Sequence, residues 1–164
     1  MSKIDRVKIP VYLHGGWYDN YPGASFRAFQ SLSEDPVADG TRIYVDPTDH
    51  SGDVVGDRDF GPTPSKSRLR LAIRWLDHVL RGIDNGVGDE PPITIFVMGA
   101  NEWRQEHEWP LARTEFTKYY FRSDGARHGR LSTEPPGNEL PSSYVYDPED
   151  PVLTLGGNHS GPQD

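Results

Sequence analysis

Two short apolar segments, each followed by turn-forming and polar residues, most constrain the fold of this chain. The first, residues 9–13, leads through two glycines to Asp19, and the second, residues 41–45, leads to His50. Pro22 between them suits the first turn of a helix whose apolar face would carry Phe26, Phe29 and Leu32. Strand, helix and strand in succession predict parallel pairing in an α/β sheet.

Asp19 and His50 are the main candidates for a functional site, because each follows a predicted strand. A strand-end acid and then a histidine match the last two members of a triad in the chain order serine, aspartate, histidine. The imidazole can accept a serine proton near neutral pH, and the carboxylate can fix the imidazole tautomer. The sequence contains no Gly-x-Ser-x-Gly motif, and around Ser25 the second glycine is replaced by Arg27. We therefore expect the C-terminal part of a serine hydrolase.

The rest of the chain predicts one more helix and then β structure. Residues 67–81 carry four apolar side chains at helical spacing before Gly82 ends the helix: Leu69, Ile73, Leu76 and Leu80. Residues 83–92, rich in Gly, Asp and Pro, predict an inter-domain linker. Strand-like segments follow at 93–98, 116–122 and 143–146. The predicted fold class is α/β followed by all-β, with domains at residues 1–88 and 89–164.

Composition excludes several classes of partner. The chain has 164 residues, a net charge of −8 and no cysteine. The negative charge without a basic stripe argues against nucleic acid and against anionic membranes. The absence of cysteine excludes a disulfide framework and a Cys-based zinc site, and we expect no cofactor. Without a signal-peptide core or a membrane-length apolar run, we expect a soluble, cytoplasmic chain, although a signal peptide on a longer parent would not be visible.

Several separated motifs also occur in one consistent order. They are residues 15–19 (GGWYD), 59–61, 74–82, 96–99, 102–104 with 108–110, and 146–152. Together they resemble the cocaine esterase and X-Pro dipeptidyl-peptidase family of α/β-hydrolases over nearly the whole chain. The resemblance implies the C-terminal portion of an α/β-hydrolase sheet followed by a truncated jelly-roll β-sandwich. It also implies acyl transfer from an ester or amide to water, with an ester, amide or peptide as substrate of the complete protein.

The resemblance maps the family's catalytic acid onto Asp19 and its catalytic base onto His50. It places the serine nucleophile, the helical cap and the oxyanion-hole tyrosine upstream of Met1, so a missing N-terminal half is a further expected partner. Residues 46–48 read Asp-Pro-Thr where the family usually has Gly-Pro-Trp. That departure leaves the packing around His50 undetermined by the sequence.

Other interpretations of these residues stay open at this point. A strand-end aspartate such as Asp19 is often a turn former. Four side chains could instead form a metal site, although no fixed ligand spacing supports one: His14, Asp46, Asp49 and His50. Aromatic and basic side chains could form a sugar-binding platform or pack at a domain interface: Trp103, Arg104 and Trp109. His78 suits a surface or packing position, and a solvated acidic patch would comprise Glu102, Glu106 and Glu108.

Two classes of function therefore remain. The first is part of a serine hydrolase that cleaves esters or amides, including peptides after proline, and that is inactive without its nucleophile. The second is a non-catalytic ligand- or carbohydrate-binding β module, or an inactive truncated product. Substrate identity is not encoded in these motifs.

Overall fold

The computed structural model describes residues 3–50, 59–61, 67–123 and 129–152. Within these ranges the chain forms two compact units, the first ending at Ala112 and the second beginning at Arg113. Most of the predicted loop after His50, including Ser51, lies outside the described residues, as does the end of the chain from residue 153.

The first unit is built on a four-stranded mixed sheet. Its strands are β1 (Tyr12–Gly16), β2 (Arg42–Asp46), β3 (Ile93–Val97) and β4 (Glu102–Glu106), in the spatial order β1-β2-β3-β4. The first three are parallel and β4 is antiparallel to β3. Helix α1 (Pro22–Ser33) connects β1 to β2, and α2 (Ser67–Arg81) precedes β3. The predicted parallel pairing of the first two strands is confirmed.

Helix α1 packs on this sheet and forms the core together with β2 and β3. The buried cluster comprises Phe26, Phe29, Ile43, Val45, Ile93 and Ile95. Val45 and Ile93 are completely inaccessible to solvent. Each fully buried side chain of this size stabilises the fold by about 1.5–3 kcal/mol relative to leaving it exposed. The strand ends that carry Asp19 and His50 therefore extend from a well-packed part of the chain.

Helix α2 has the predicted bounds, but its buried contact is made by a residue outside the apolar stripe that predicts it. The apolar positions whose spacing predicts this helix are at least 40% exposed: Leu69, Ile73, Leu76 and Leu80. Trp75 is buried instead, with its ring 5.6 Å from that of Tyr12 and its Nε1 donating to the Gly40 carbonyl at 2.9 Å. Helical periodicity thus predicts the helix correctly, but it does not identify Trp75 as the residue that makes the buried contact.

Residues 83–92, where the sequence predicts an inter-domain linker, lie within the first unit. Arg42 donates to the carbonyls of Glu90 and Pro91 at 2.7 and 2.9 Å, and the Ile43 amide donates to the Pro92 carbonyl at 3.0 Å. These bonds place β3 beside β2. The expectation that strands after the linker form a sheet of their own is therefore wrong for β3 and β4, which extend the first sheet.

The second unit contains β5 (Tyr120–Ser123) and β6 (Gly129–Ser132), paired antiparallel. Glu139 binds this hairpin, through the Arg122 side chain and through the Ser123 amide at 2.9 Å. Phe121 and its cross-strand partner Leu131 are 89% and 60% exposed. The strand predicted at 143–146 is irregular here, so the described part of this unit has two strands.

Candidate active site

The structure brings the two predicted site residues together at one sheet edge. Asp19 and His50 each follow one of two adjacent parallel strands, β1 and β2, at their carboxyl ends. The His50 Nδ1 lies 3.1 Å from the Asp19 Oδ2. The two predicted site residues therefore lie within hydrogen-bond reach of each other.

Backbone contacts between the two loops set this distance. The Trp17 amide donates to the Asp46 carbonyl at 2.9 Å, and the Tyr18 amide donates to the Thr48 carbonyl at 3.1 Å. Gly16 permits the approach, because a β-carbon there would lie 2.1 Å from the Thr48 carbonyl oxygen. A side chain at that position would push the acid loop away from the base loop.

The acid is held more firmly than the base. The second oxygen of Asp19 accepts the Tyr21 amide at 3.0 Å, and the Asp19 side chain is 14% exposed. The His50 side chain is 54% exposed, and the Tyr21 ring stands edge-on to it at 6.2 Å. With Nδ1 protonated and donating to Asp19, the Nε2 of His50 is an acceptor, and the described residues give it no hydrogen-bond partner.

A second histidine–aspartate pair, His14 and Asp46, lies on the same two strands, and the sequence suggests these residues only as part of a metal site. His14 pairs with Tyr44 in the strand register and Gly16 with Asp46, so His14 and Asp46 are diagonal neighbours on one face. The His14 Nε2 lies 3.2 Å from the Asp46 Oδ2. The alternation of polar side chains at 14, 44 and 46 was the available signal, but their alignment depends on the register.

Asp46 is 1% exposed and has three donors around it. Besides His14, the Thr48 hydroxyl donates to its Oδ1, and the Arg68 Nε lies 3.6 Å from its Oδ2. Burial acts to raise the pKa of the Asp46 carboxyl, but hydrogen bonds from His14 and Thr48 and the charges of His14 and Arg68 hold it below its usual value. The carboxyl is therefore a buried anion.

Tyr44 lies beside this pair, with its ring 5.6 Å from that of His14. Its hydroxyl is buried without a hydrogen-bond partner among the described residues. Burial and the nearby Asp46 charge raise the pKa of the Tyr44 hydroxyl. The group therefore stays neutral beside the carboxylate.

The alternative metal site is divided between these two pairs. His14 binds Asp46, whereas His50 binds Asp19. Within the described ranges, no group of three or more histidine, aspartate or glutamate side chains could hold a metal ion. The described helices also include none with the length and apolarity needed to cross a bilayer.

The tryptophans of the suggested sugar platform pack inside the first unit. Trp109 stacks on Phe26 at 4.0 Å, and Trp103 stacks on Tyr44 at 4.8 Å. Arg104 pairs with Glu102 at 2.7 Å on the exposed surface. Packing, rather than an open aromatic platform, accounts for both tryptophans. His78 is likewise a packing residue, its Nδ1 lying 3.1 Å from the Ile83 carbonyl.

Comparisons with a family model and with known proteins indicate the same family. Residues 85–156 match the X-Pro dipeptidyl-peptidase C-terminal non-catalytic domain. A cocaine esterase from Rhodococcus sp. (strain MB1 Bresler) is 36% identical over 98% of this chain and 30% of its own length. The chain belongs to the cocaine esterase and X-Pro dipeptidyl-peptidase family of hydrolases. The resemblance inferred from separated motifs is thus confirmed.

Two further relatives agree with this assignment. A Mycobacterium bovis protein whose name proposes a serine esterase is 30% identical over 70% of this chain and 18% of its own length. The crystal structure of an aminopeptidase from a marine sediment archaeon, Thaumarchaeota archaeon, superposes with a TM-score of 0.63 at 25% identity, covering 89% of this chain and 24% of that one. The chain thus spans about a third or less of the length of these relatives.

Proposed function

We propose that this chain supplies the acid and the base of a serine hydrolase that cleaves ester or amide bonds, including X-Pro peptide bonds. The observation that carries the proposal is the Asp19–His50 hydrogen bond at the carboxyl edge of two adjacent parallel strands. Residues 1–88 would then be the end of an α/β-hydrolase domain. Residues 89–164, of which β3 and β4 extend the first sheet, would lead into a jelly-roll domain. The serine would come from sequence outside these residues.

In this proposal each side chain has one task. Asp19 holds the proton on the Nδ1 of His50, which leaves the Nε2 to take the proton of a serine hydroxyl as it attacks the substrate carbonyl. The same Nε2 returns the proton to the leaving alcohol or amine. General base catalysis of this kind contributes roughly 10²- to 10⁴-fold to a rate. The large exposed fraction of His50 is consistent with a base that must meet a serine and a substrate.

A non-catalytic role for the β portion is compatible with this proposal. Residues 85–156 match a domain described as non-catalytic, and neither Asp19 nor His50 lies in that range. Residues 85–156 would then support the part of the chain that carries Asp19 and His50, without taking part in the chemistry.

The test compares the 164-residue chain with the complete protein that contains it. Purified chain is incubated with p-nitrophenyl esters and with a fluorophosphonate probe, beside His50→Ala. We expect no His50-dependent turnover and no stoichiometric serine labelling of the chain alone. The complete protein should be labelled at one serine, and its turnover should fall about 10³-fold or more in His50→Ala.

A different result would replace the proposal with a compact hydrolase. Ser25 is the described serine to examine first, although its hydroxyl donates to the Tyr21 carbonyl at 3.3 Å. Stoichiometric labelling of Ser25 in the chain alone, with turnover lost in His50→Ala, would show that these residues contain the nucleophile. Unchanged turnover of the complete protein after His50→Ala would remove His50 from the catalytic machinery.

A further inference from the structure

The buried Asp46 carboxylate joins three separate parts of the first unit. His14 reaches it from β1, Thr48 from the loop that follows β2, and Arg68 from the first turn of α2. A buried carboxylate is costly unless donors surround it, so removing any one donor is unfavourable. The three elements are therefore held together by one anion.

The loop bound by this anion is the one that carries His50. Only Pro47, Thr48 and Asp49 separate Asp46 from His50, and all three are buried. The Thr48 side chain donates to the carboxylate, while the Thr48 carbonyl accepts the Tyr18 amide of the loop that carries Asp19. Thr48 thus connects the buried anion to the position of both members of the acid–base pair.

The exposure of His50 makes such a support necessary. Its hydrogen bond to Asp19 orients the ring, but no described residue bonds to its other nitrogen. An exposed imidazole keeps one orientation when the backbone that carries it is fixed. The loop immediately before His50 is bound through the Thr48 hydroxyl to Asp46 and through the Thr48 carbonyl to the Tyr18 amide.

We propose that Asp46 is a positioning residue. By binding Thr48 it holds the loop that follows β2, and this loop places His50 beside Asp19. This inference rests on the proposed function for its catalytic meaning. Asp46 itself touches no reacting atom. It acts through the Thr48 hydroxyl and the backbone of residues 47–49.

The experiment reads the tautomer of His50 in the folded 164-residue chain. Two-bond nitrogen–proton NMR spectra of ¹⁵N-histidine-labelled protein distinguish the tautomer protonated on Nδ1 from that protonated on Nε2. Asp19→Asn replaces the oxygen that faces the His50 Nδ1 by an amide donor, because the other oxygen accepts the Tyr21 amide, and it defines the spectrum of the opposite tautomer. Asp77→Asn, which changes a partly exposed carboxylate paired with Arg81 on α2, is the matched control.

We expect wild type and Asp77→Asn to favour the Nδ1-protonated tautomer. In Asp46→Asn the ratio of the two tautomers should move about five- to tenfold toward that of Asp19→Asn, the change expected for loss of one hydrogen bond. Thr48→Val removes only the hydroxyl and keeps the side-chain shape, so it should move the ratio in the same direction. If Asp46→Asn fails to fold, Thr48→Val decides the question.

The outcomes separate this inference from the proposed function. A His50 spectrum unchanged in both Asp46→Asn and Thr48→Val, but changed in Asp19→Asn, would overturn the positioning role and leave the acid–base pair in place. A spectrum unchanged in Asp19→Asn would instead show that the acid–base pair does not form in solution. A purely structural role for Asp46 would lower stability without moving the tautomer ratio of the folded protein.

Discussion

Two aspartate–histidine pairs lie near the ends of the same two parallel strands, with their roles exchanged. In the first, β1 leads to the acid and β2 to the histidine; in the second, β1 carries the histidine and β2 the acid. The Asp19 side chain is 14% exposed and the His50 side chain 54%, whereas the Asp46 side chain is 2% exposed and the His14 side chain 32%.

The comparison shows that the surroundings of a histidine–aspartate pair determine whether it can react or only stabilise the fold. His50 has one acid partner and an accessible second nitrogen, so its proton can be exchanged with a reactant. Asp46 is enclosed by donors and has no access to a substrate. A histidine–aspartate distance near 3 Å is therefore insufficient to identify a catalytic pair.

The largest expected effect concerns the exposed pair. In the complete protein, Asp19→Asn should lower kcat by about 10⁴-fold, because an amide favours the wrong tautomer of His50. Turnover of p-nitrophenyl esters measures this, with Asp77→Asn as the control that should retain full activity. A loss below about threefold would break the assignment of Asp19 as the acid.

The second prediction concerns stability, for which we expect Asp46 to matter more than Asp19. In the 164-residue chain, Asp46→Ala should lower the free energy of unfolding by about 3–5 kcal/mol, because it leaves His14, Thr48 and Arg68 around an empty buried site. Asp19→Ala should cost about 1 kcal/mol or less, since its partner is exposed. Urea unfolding followed by circular dichroism gives both values. Equal losses in the two variants would remove the distinction between a reactive and a structural pair.

The smallest effect is the pH dependence of the buried pair. Because the pKa of Asp46 in the folded chain lies below its ordinary value of 3.8, its ionised form stabilises the fold above about pH 3.8. That contribution is lost as pH falls through the lower, folded pKa.

The measurement is urea unfolding of wild type and Asp46→Asn at several pH values from about 5 to about 2. The difference in stability between the two proteins should shrink steadily as pH falls. A difference independent of pH would show that Asp46 is not an anion in the folded state.

The sequence predicts the reactive pair better than the buried pair for a physical reason. Asp19 and His50 follow strands that can be recognised from short apolar runs and glycines, and chain order alone brings them to one sheet edge. Asp46 joins His14 only because Tyr12 pairs with Arg42, a register that local sequence does not specify. The departure of residues 46–48 from the Gly-Pro-Trp pattern draws attention to Asp46, but it does not indicate that His14 and Arg68 are its partners.

Other elements show the same limit. The acidic, alternating residues of β4 resemble a solvated surface, yet the strand forms because its backbone pairs with β3. The stripe of leucines and isoleucine on α2 predicts a helix, while Trp75 makes its buried contact. Local pattern thus identifies elements that are periodic, and long-range pairing decides the rest.

The contact between Gly16 and the Thr48 carbonyl has a consequence for how this site can evolve. No side chain larger than hydrogen can enter at position 16 unless the loop after β2 moves first, since 2.1 Å separates the would-be β-carbon from that oxygen. The two loops must therefore change together or remain as they are. In a lineage of such chains, substitutions at the end of one strand would depend on the history of the other.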